Sequence, residues 1–240
     1  MKIMELMQQK AKDNSGCRGV SIAFLGDSVT QGCFEIYKDQ NDHIVPVFDK
    51  NSAYHMYVSQ IFAMLYPSVP VNIINAGISG GSAPHGLARL ERDVLQYNPD
   101  LTVVCFGLND SGGGLEKLPQ YEEALRNIFS ELQKKDIEII FMTPNMMNTR
   151  VSEHLQDANM RGIAENTVKR QLGGVMDAYM EAARKICKEM GIPVCDCYSK
   201  WKLLYENGVD ITELLSNKIN HPTREMNWMF AMDLVETMMK

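Results

Sequence analysis

Several common sequence features are missing from this chain of 240 residues, and each absence argues against a class of protein. No stretch approaches the ~20 consecutive apolar residues of a membrane span, and the first residues mix charged with apolar side chains too closely for a signal peptide. No long basic run occurs, and the formal net charge is -6, which argues against nucleic acid as a partner. We therefore expect a cytoplasmic protein that binds neither membrane nor nucleic acid.

Signatures of metal and nucleotide binding are also missing. The six cysteines form no C-x-x-C pair. The spacing of Cys195 and Cys197 places both side chains on one face of a strand, which is more typical of packing than of a metal site. The segment G-D-S-V-T-Q-G after the first strand lacks the G-x-G-x-x-G and G-K-[ST] spacings that bind phosphates in nucleotide and flavin proteins. We predict no metal and no cofactor.

What the sequence does contain is an unbroken alternation of strands and helices. No Pro/Gly/Ser-rich linker and no internal repeat interrupts it, so residues 1–240 are expected to form a single domain. Apolar runs predict strands at residues 20–25, 71–75, 101–106, 137–142 and 192–197. Helical patterns predict helices at residues 3–12, 53–66, 87–97, 119–135, 175–190, 201–205 and 222–239, with long polar connections at 32–52 and 145–168. This alternation predicts a three-layer α/β/α flavodoxin-like fold with a five-stranded parallel sheet in the order 2-1-3-4-5.

Three strand ends share an unusual, polar and glycine-rich chemistry. They read G-D-S at residues 26–28, N-A-G-I-S-G at residues 75–80 and G-L-N-D at residues 107–110. In the predicted order the first strand lies between the second and third, so these ends are immediate neighbours at the edge where doubly wound sheets bind ligands. The three segments are therefore candidates for one common site.

Acyl transfer needs a nucleophile, a base and donors aimed at the oxygen that becomes negative. Ser28 is the candidate nucleophile, and the backbone N–H groups of Ser28 and Gly80 with the side-chain amide of Asn109 are the candidate oxyanion donors. The candidate base is His221, because Pro222 after it suits the first turn of the final helix and fixes the histidine at a helix mouth. The other histidines, at positions 43, 55, 85 and 154, have no such support.

With these motifs the sequence resembles the SGNH (GDSL-type) serine hydrolases, which are esterases and lipases on a flavodoxin-like sheet. The resemblance covers nearly the whole chain and lies in four ordered blocks: Gly26-Asp27-Ser28, the region of Gly80, Gly107-x-Asn109-Asp110, and His221-Pro222. It implies that Ser28 is the nucleophile, that Ser28, Gly80 and Asn109 form the oxyanion hole, and that His221 is the general base.

One position departs from the family pattern. The family usually has an aspartate three residues before the histidine, where its carboxylate orients the ring, and this chain has Lys218 there. A lysine cannot accept a hydrogen bond from Nδ1–H. Three alternatives remain: Asn217 or a backbone carbonyl orients His221, a carboxylate such as Asp210 or Glu213 does so, or the enzyme works as a Ser-His dyad.

The substrate is predicted from the polarity of the loops. Polar residues follow the predicted strands (Thr30, Gln31, Asp110, Ser111, Asn145 and Asn148), which favours a short acyl group, such as acetyl, on a polar alcohol such as a sugar. The expected partner is a small-molecule or oligosaccharide ester, and no oligomeric state is predicted. Methionines at positions 146, 147 and 160 keep open a lipase or thioesterase with a longer acyl pocket. Lys218 keeps open an inactive ester-binding or carbohydrate-binding module.

Overall fold

A five-stranded parallel sheet forms the centre of the computed structural model, which describes residues 1–41 and 43–240. The strands, in chain order, are β1 (Val20–Gly26), β2 (Cys33–Lys38), β3 (Ile44–Phe48), β4 (Val71–Gly77), β5 (Leu101–Cys105), β6 (Glu138–Met142) and β7 (Val194–Cys195). The central sheet has the order β4-β1-β5-β6-β7, while β2 and β3 form a separate hairpin. Counting only the strands of the central sheet, this is the predicted order 2-1-3-4-5, and the predicted α/β fold is confirmed.

Helices cover both faces of this sheet, which explains why its strands are nearly continuous apolar runs. They are α1 (Lys2–Lys12), α2 (Ser28–Gln31), α3 (Tyr54–Leu65), α4 (Ala83–Ala88), α5 (Leu90–Asp93), α6 (Leu118–Lys134), α7 (Ala158–Leu172), α8 (Val175–Met190), α9 (Cys197–Glu206) and α10 (Arg224–Met239). Helices α1 and α3 pack against α10 in one layer, and α6 packs against α4 and α8 in the other. Within the described residues, none of these helices has the length and apolarity needed to cross a membrane.

The first long connection is not the irregular loop predicted for residues 32–52. It forms the antiparallel hairpin of β2 and β3, although residue 42 lies outside the described residues. The prediction was wrong because the apolar run I-V-P-V-F of β3 contains a proline, Pro46, which is atypical of a strand. Among the described residues the hairpin joins no larger sheet, so its outer face stays exposed. Its position over the end of β1 matters for the site described below.

Two other connections also differ from prediction. The polar segment predicted for residues 145–168 contains most of α7, which begins where the Asp157 side chain accepts hydrogen bonds from the backbone N–H groups of Asn159 and Met160. The helix predicted for residues 87–97 is instead α4 and α5, followed by a short 3-10 turn at Leu95–Tyr97. The break between α4 and α5 falls at Arg89, whose buried guanidinium donates to the carbonyl oxygens of Gly26 and Ala76 at the strand ends.

The last strand and the helix after it have different limits from those predicted. The strand predicted for residues 192–197 is only the two-residue β7, and the helix predicted for residues 201–205 begins earlier, at Cys197. The reason is a capping residue: the side chain of Asp196 accepts a hydrogen bond from the backbone N–H of Ser199 and starts α9.

Candidate active site

The end of β1 delivers Ser28 to the carboxyl edge of the sheet. Asp27 follows the strand and caps α2, with its carboxylate accepting the N–H of Val29 at 2.9 Å. Ser28 is the first residue of α2, so its own N–H has no acceptor within the helix. The side chain is nearly buried, with 6% of its surface exposed. This strand-to-helix turn presents at one point both an O–H group and an N–H group that has no acceptor in the part of the chain that the structure describes.

His221 lies against Ser28 although the two residues are 193 positions apart. Ser28 Oγ is 2.9 Å from His221 Nε2, and His221 Nδ1 is 3.0 Å from the carbonyl oxygen of Phe34. A carbonyl oxygen can only accept, so Nδ1 carries the proton and Nε2 offers its lone pair to the Ser28 O–H group. Burial lowers the pKa of His221 to about 4, which keeps the ring neutral and able to accept a proton near pH 7.

The loop before α10 fixes the backbone of His221 but not its ring. The side-chain oxygen of Asn217 accepts the backbone N–H groups of Ile219, Asn220 and His221 at 2.9 to 3.0 Å. Asp210 pairs instead with Arg150, Oδ2 to Nε, at 2.8 Å. The predictions that Asn217 or Asp210 orients the ring are therefore wrong, and the backbone-carbonyl alternative matches the contact with Phe34.

The Lys218 side chain pairs with Glu213. Its Nζ lies 2.7 Å from a carboxylate oxygen of Glu213, and the residue itself has a left-handed backbone with φ 58°. Glu213 also pairs with Arg150 at 2.7 Å. Both Lys218 and Glu213 are thus engaged with each other rather than with His221.

The predicted oxyanion donors lie on adjacent strand ends, because β1 pairs with both β4 and β5. Gly80 has φ 73°, a conformation that favours glycine, and within the described residues its N–H has no hydrogen-bond acceptor. The Asn109 amide nitrogen lies 2.9 Å from the Gly81 carbonyl oxygen and 3.3 Å from an Asp27 carboxylate oxygen. A substrate oxygen at Asn109 would replace the longer of these two contacts.

Two buried carboxyl groups lie beneath these donors. Burial, with a smaller contribution from the nearby charge of Asp110, raises the pKa of Asp27 to about 7. Burial also raises the pKa of Asp110 to about 6. Asp110 Oδ1 accepts the Ala83 N–H at 2.8 Å, whereas Oδ2 has no partner among the residues that the structure describes. Protonation of either group reduces the negative charge close to the predicted oxyanion hole.

Most polar residues that were expected to face a substrate are instead part of the interior. Ser111, Asn145 and Asn148 are fully buried, as is Thr30, whose hydroxyl bonds to Tyr54 at 2.8 Å. The side chain of Asn145 donates to the carbonyl oxygens of Met146 and Asn220. The expectation that these residues contact a substrate was wrong, because buried polar groups bond to neighbouring polar groups of the protein.

The methionines considered for an acyl pocket are also largely internal. Met146 and Met147 belong to the hydrophobic core. Cys195 and Cys197 are buried there as well, with their Sγ atoms 3.7 Å apart. In the described part of the chain, no group of three or more His, Cys, Asp or Glu side chains is arranged to hold a metal ion.

Phe34 is the residue at the site that sequence reasoning missed. Its contribution is a backbone carbonyl, which every residue possesses, so no residue type identifies it. The available signal was the strand-forming aromatic and β-branched residues of C-F-E-I-Y-K and I-V-P-V-F, which follow Ser28 in the chain. That pattern predicts a hairpin near Ser28 but not which carbonyl faces His221.

The sequence of this chain is similar to a protein family and to a characterised relative. The model of the GDSL-like lipase/acylhydrolase family matches residues 24–229. An acetylxylan esterase of Geobacillus stearothermophilus is 28% identical over 135 residues, and that alignment covers 52% of this chain and 60% of the relative.

Solved structures share the fold at low sequence identity. Axe2, an acetylxylan esterase from Geobacillus stearothermophilus, has a TM-score of 0.67 at 23% identity, covering 92% of this chain and 94% of that one. LAE5, an alpha/beta hydrolase enzyme from the metagenome of Lake Arreo in Spain, has a TM-score of 0.67 at 19% identity over 92% and 95% of the two chains. The family match spans all four sequence blocks, and the chain therefore belongs to the GDSL-like lipase/acylhydrolase family.

Proposed function

We propose that the protein is a serine esterase that hydrolyses short-chain acyl esters, acetyl esters in particular, on carbohydrate alcohols. The observation that carries the proposal is the contact of Ser28 Oγ with His221 Nε2 at 2.9 Å. The other ring nitrogen of His221, Nδ1, faces the carbonyl oxygen of Phe34. A hydroxyl aimed at a neutral imidazole in the accepting tautomer is the arrangement that activates a serine.

The reaction follows from this arrangement in two halves. In the first, Ser28 Oγ bonds to the ester carbonyl carbon while its proton passes to His221 Nε2. The N–H groups of Ser28 and Gly80, with the Asn109 amide, bind the oxygen that becomes negative. The proton on Nε2 then leaves with the alcohol, and an acyl-serine remains. In the second half, water gives a proton to Nε2 and attacks the same carbon, which releases the carboxylic acid and restores the Ser28 O–H group.

The preference for a short acyl group on a polar alcohol has three supports. A cavity of about 220 Å³ lies on the Asn109 side of the site, without Ser28 or His221 in its lining. Most of its lining side chains are polar, among them Ser82, Lys117 and Gln120. Of the three methionines that favoured a longer acyl pocket, Met146 and Met147 are buried in the core, whereas Met160 is half-buried. The relatives named as acetylxylan esterases agree with an acetylated sugar as substrate.

The test compares wild type with Ser28→Ala on p-nitrophenyl acetate, butyrate and octanoate, and on acetylated xylo-oligosaccharides. Ser21→Ala is the matched control, since Ser21 lies near the opposite end of the same strand. We expect acetate to be the preferred p-nitrophenyl ester, acetate release from the oligosaccharide, and loss of both activities in Ser28→Ala only. A fluorophosphonate should add to wild type and to Ser21→Ala but not to Ser28→Ala.

Other results would lead to different conclusions. Preferred turnover of octanoate would favour a lipase or thioesterase. Absence of both turnover and fluorophosphonate adduct in folded wild type would refute the esterase and favour a binding module.

A further inference from the structure

The carbonyl that contacts His221 belongs to a hairpin that is buried at its first residues, Cys33 and Phe34, and becomes more exposed beyond them. Within the described residues, strands β2 and β3 pair with each other and with no further strand, and two-stranded hairpins are marginally stable alone. A hydrogen bond between Asp49 N and the Gly32 carbonyl closes the base of the hairpin at 2.9 Å. The far end is linked to α7 by an ion pair between Lys38 and Asp157 at 2.7 Å. The position of the Phe34 carbonyl therefore depends on the burial of the Phe34 side chain and on how the middle of the hairpin is anchored.

Arg224 anchors that middle from the first turn of α10. Its guanidinium binds Glu35 on β2 through two nitrogens, at 2.6 and 3.2 Å, and its Nε binds Asp49 just beyond β3 at 3.0 Å. The same group lies over the ring of Phe34, with Cζ 4.4 Å from the ring centroid. One side chain thus holds both strands of the hairpin and also the residue whose carbonyl faces His221.

The two side chains that meet Phe34, the His221 ring and the Arg224 guanidinium, lie on the same short segment of the chain. His221 and Arg224 are three residues apart, and the Thr223 side chain between them caps α10. The helix start therefore fixes the distance between the imidazole and the guanidinium, and the guanidinium fixes the hairpin. A planar, always charged fork suits this task, because it can bind one carboxylate at two points while stacking on an aromatic ring.

We propose that Arg224 is a positioning residue, which holds the Phe34 carbonyl against His221 and so takes the orienting role for which position 218 offers no acid. This inference rests on the proposed esterase function, since it concerns the same Ser28–His221 pair. It assigns the orientation of the ring to an ion-paired hairpin instead of to a carboxylate in the histidine loop.

The experiment compares wild type with Arg224→Ala and Arg224→Lys on p-nitrophenyl acetate. Arg184→Ala is the matched control, because Arg184 makes a similar two-point contact with Asp196, at 3.0 Å for each bond, and lies in α8. We expect Arg224→Ala to lower kcat by about 10- to 100-fold with little change in KM, because misplacement of a catalytic group by about 1 Å has an effect of this size. Arg224→Lys should lie between the two, since lysine keeps the charge without the fork.

A second readout separates orientation from general damage to the fold. In ¹⁵N-histidine NMR, wild-type His221 should show the Nδ1–H tautomer alone, while Arg224→Ala should show a mixture of both neutral tautomers. Should Arg224→Ala fail to fold, Arg224→Lys and Glu35→Gln provide the same comparison. Folded variants that keep wild-type kcat and the single Nδ1–H tautomer would overturn the inference. An inactive wild type would instead refute the proposed function, so the two failures are distinguishable.

Discussion

Replacement of Gly77 by alanine should disturb the site through the backbone alone. Gly77 ends β4 beside α2, and an added Cβ would lie 2.2 Å from the backbone nitrogen of Gln31 and 2.6 Å from the carbonyl carbon of Thr30. Ordinary contacts of this kind begin at 3.4 Å. Both atoms belong to the backbone of α2, so no side-chain rotation can relieve the overlap.

The size of the effect follows from these distances. Helix α2 and the end of β4 must separate by about 1 Å, and forcing an extra carbon into a packed site costs about 1–3 kcal/mol of unfolding free energy. Ser28 begins α2, so the same shift lengthens its 2.9 Å contact with His221. A displacement of about 1 Å at a reacting group lowers the rate by about 100-fold.

Urea denaturation and kcat on p-nitrophenyl acetate measure the two effects separately. Gly162→Ala is the control, because Gly162 lies inside α7 with open space around its added Cβ, and it should raise the unfolding free energy by about 0.5–1 kcal/mol without changing kcat. A folded Gly77→Ala enzyme with wild-type stability and turnover would refute the close approach of β4 to α2.

Three further outcomes follow from the site. Asn109→Ala should lower kcat about 100- to 1,000-fold, the usual loss for one oxyanion donor, and an unchanged kcat would exclude Asn109 from that role. The pKa of His221 is lowered to about 4 by burial, so the titration of this histidine should make kcat/KM rise with pH around 4; a rise of kcat/KM with pH around 6.5 would contradict this. Burial lowers the pKa values of His55 and His221 to about 4, so the stability that these neutral rings contribute to the protein is lost as pH falls from about 6.5 to 4. The pKa values of Asp27 and Asp110 are raised to about 7 and 6, so the stability that these protonated carboxyl groups contribute is lost as pH rises from about 4 to 7. The two contributions nearly cancel, so the urea midpoint of wild type should change little between about pH 4.5 and 6. Asp27→Asn removes one of the carboxyl groups, so its unfolding free energy should fall with falling pH by about 1.4 kcal/mol per pH unit. A steep dependence of the wild-type unfolding free energy on pH in this range would refute the cancellation.

The central sheet and the position of its polar ends were predictable from the sequence. Strands covered on both faces need apolar side chains throughout, so β1 and β5 can be recognised in the sequence as short apolar runs that end at glycine-containing motifs. Their parallel pairing then brings the ends together, which is why sequence patterns suffice to identify Ser28, Gly80 and Asn109 as parts of one candidate site. Periodicity likewise located α6 and α8 within a residue of their observed limits.

Exposed elements were less predictable, because their stability comes from contacts made elsewhere. The hairpin of β2 and β3 is held by ion pairs with residues of α10 and at the start of α7. The residue pattern of a strand does not reveal which distant residues will pair with it. Polar loop residues such as Asn145 and Asn148 were expected to face substrate, yet folding buries them, since the hydrogen bonds available inside satisfy them.

The sequence by itself determined the family, the fold and the residue types at the site, because these depend on local patterns of apolar, glycine and polar residues. Only the tertiary structure decided how His221 is held. Its Nδ1 meets the carbonyl oxygen of Phe34, 187 residues away in the chain, and backbone carbonyls are chemically the same at every position. Which one faces the ring is fixed by the hairpin and by the Arg224 guanidinium that packs over Phe34, a relation between distant segments that exists only once the chain has folded.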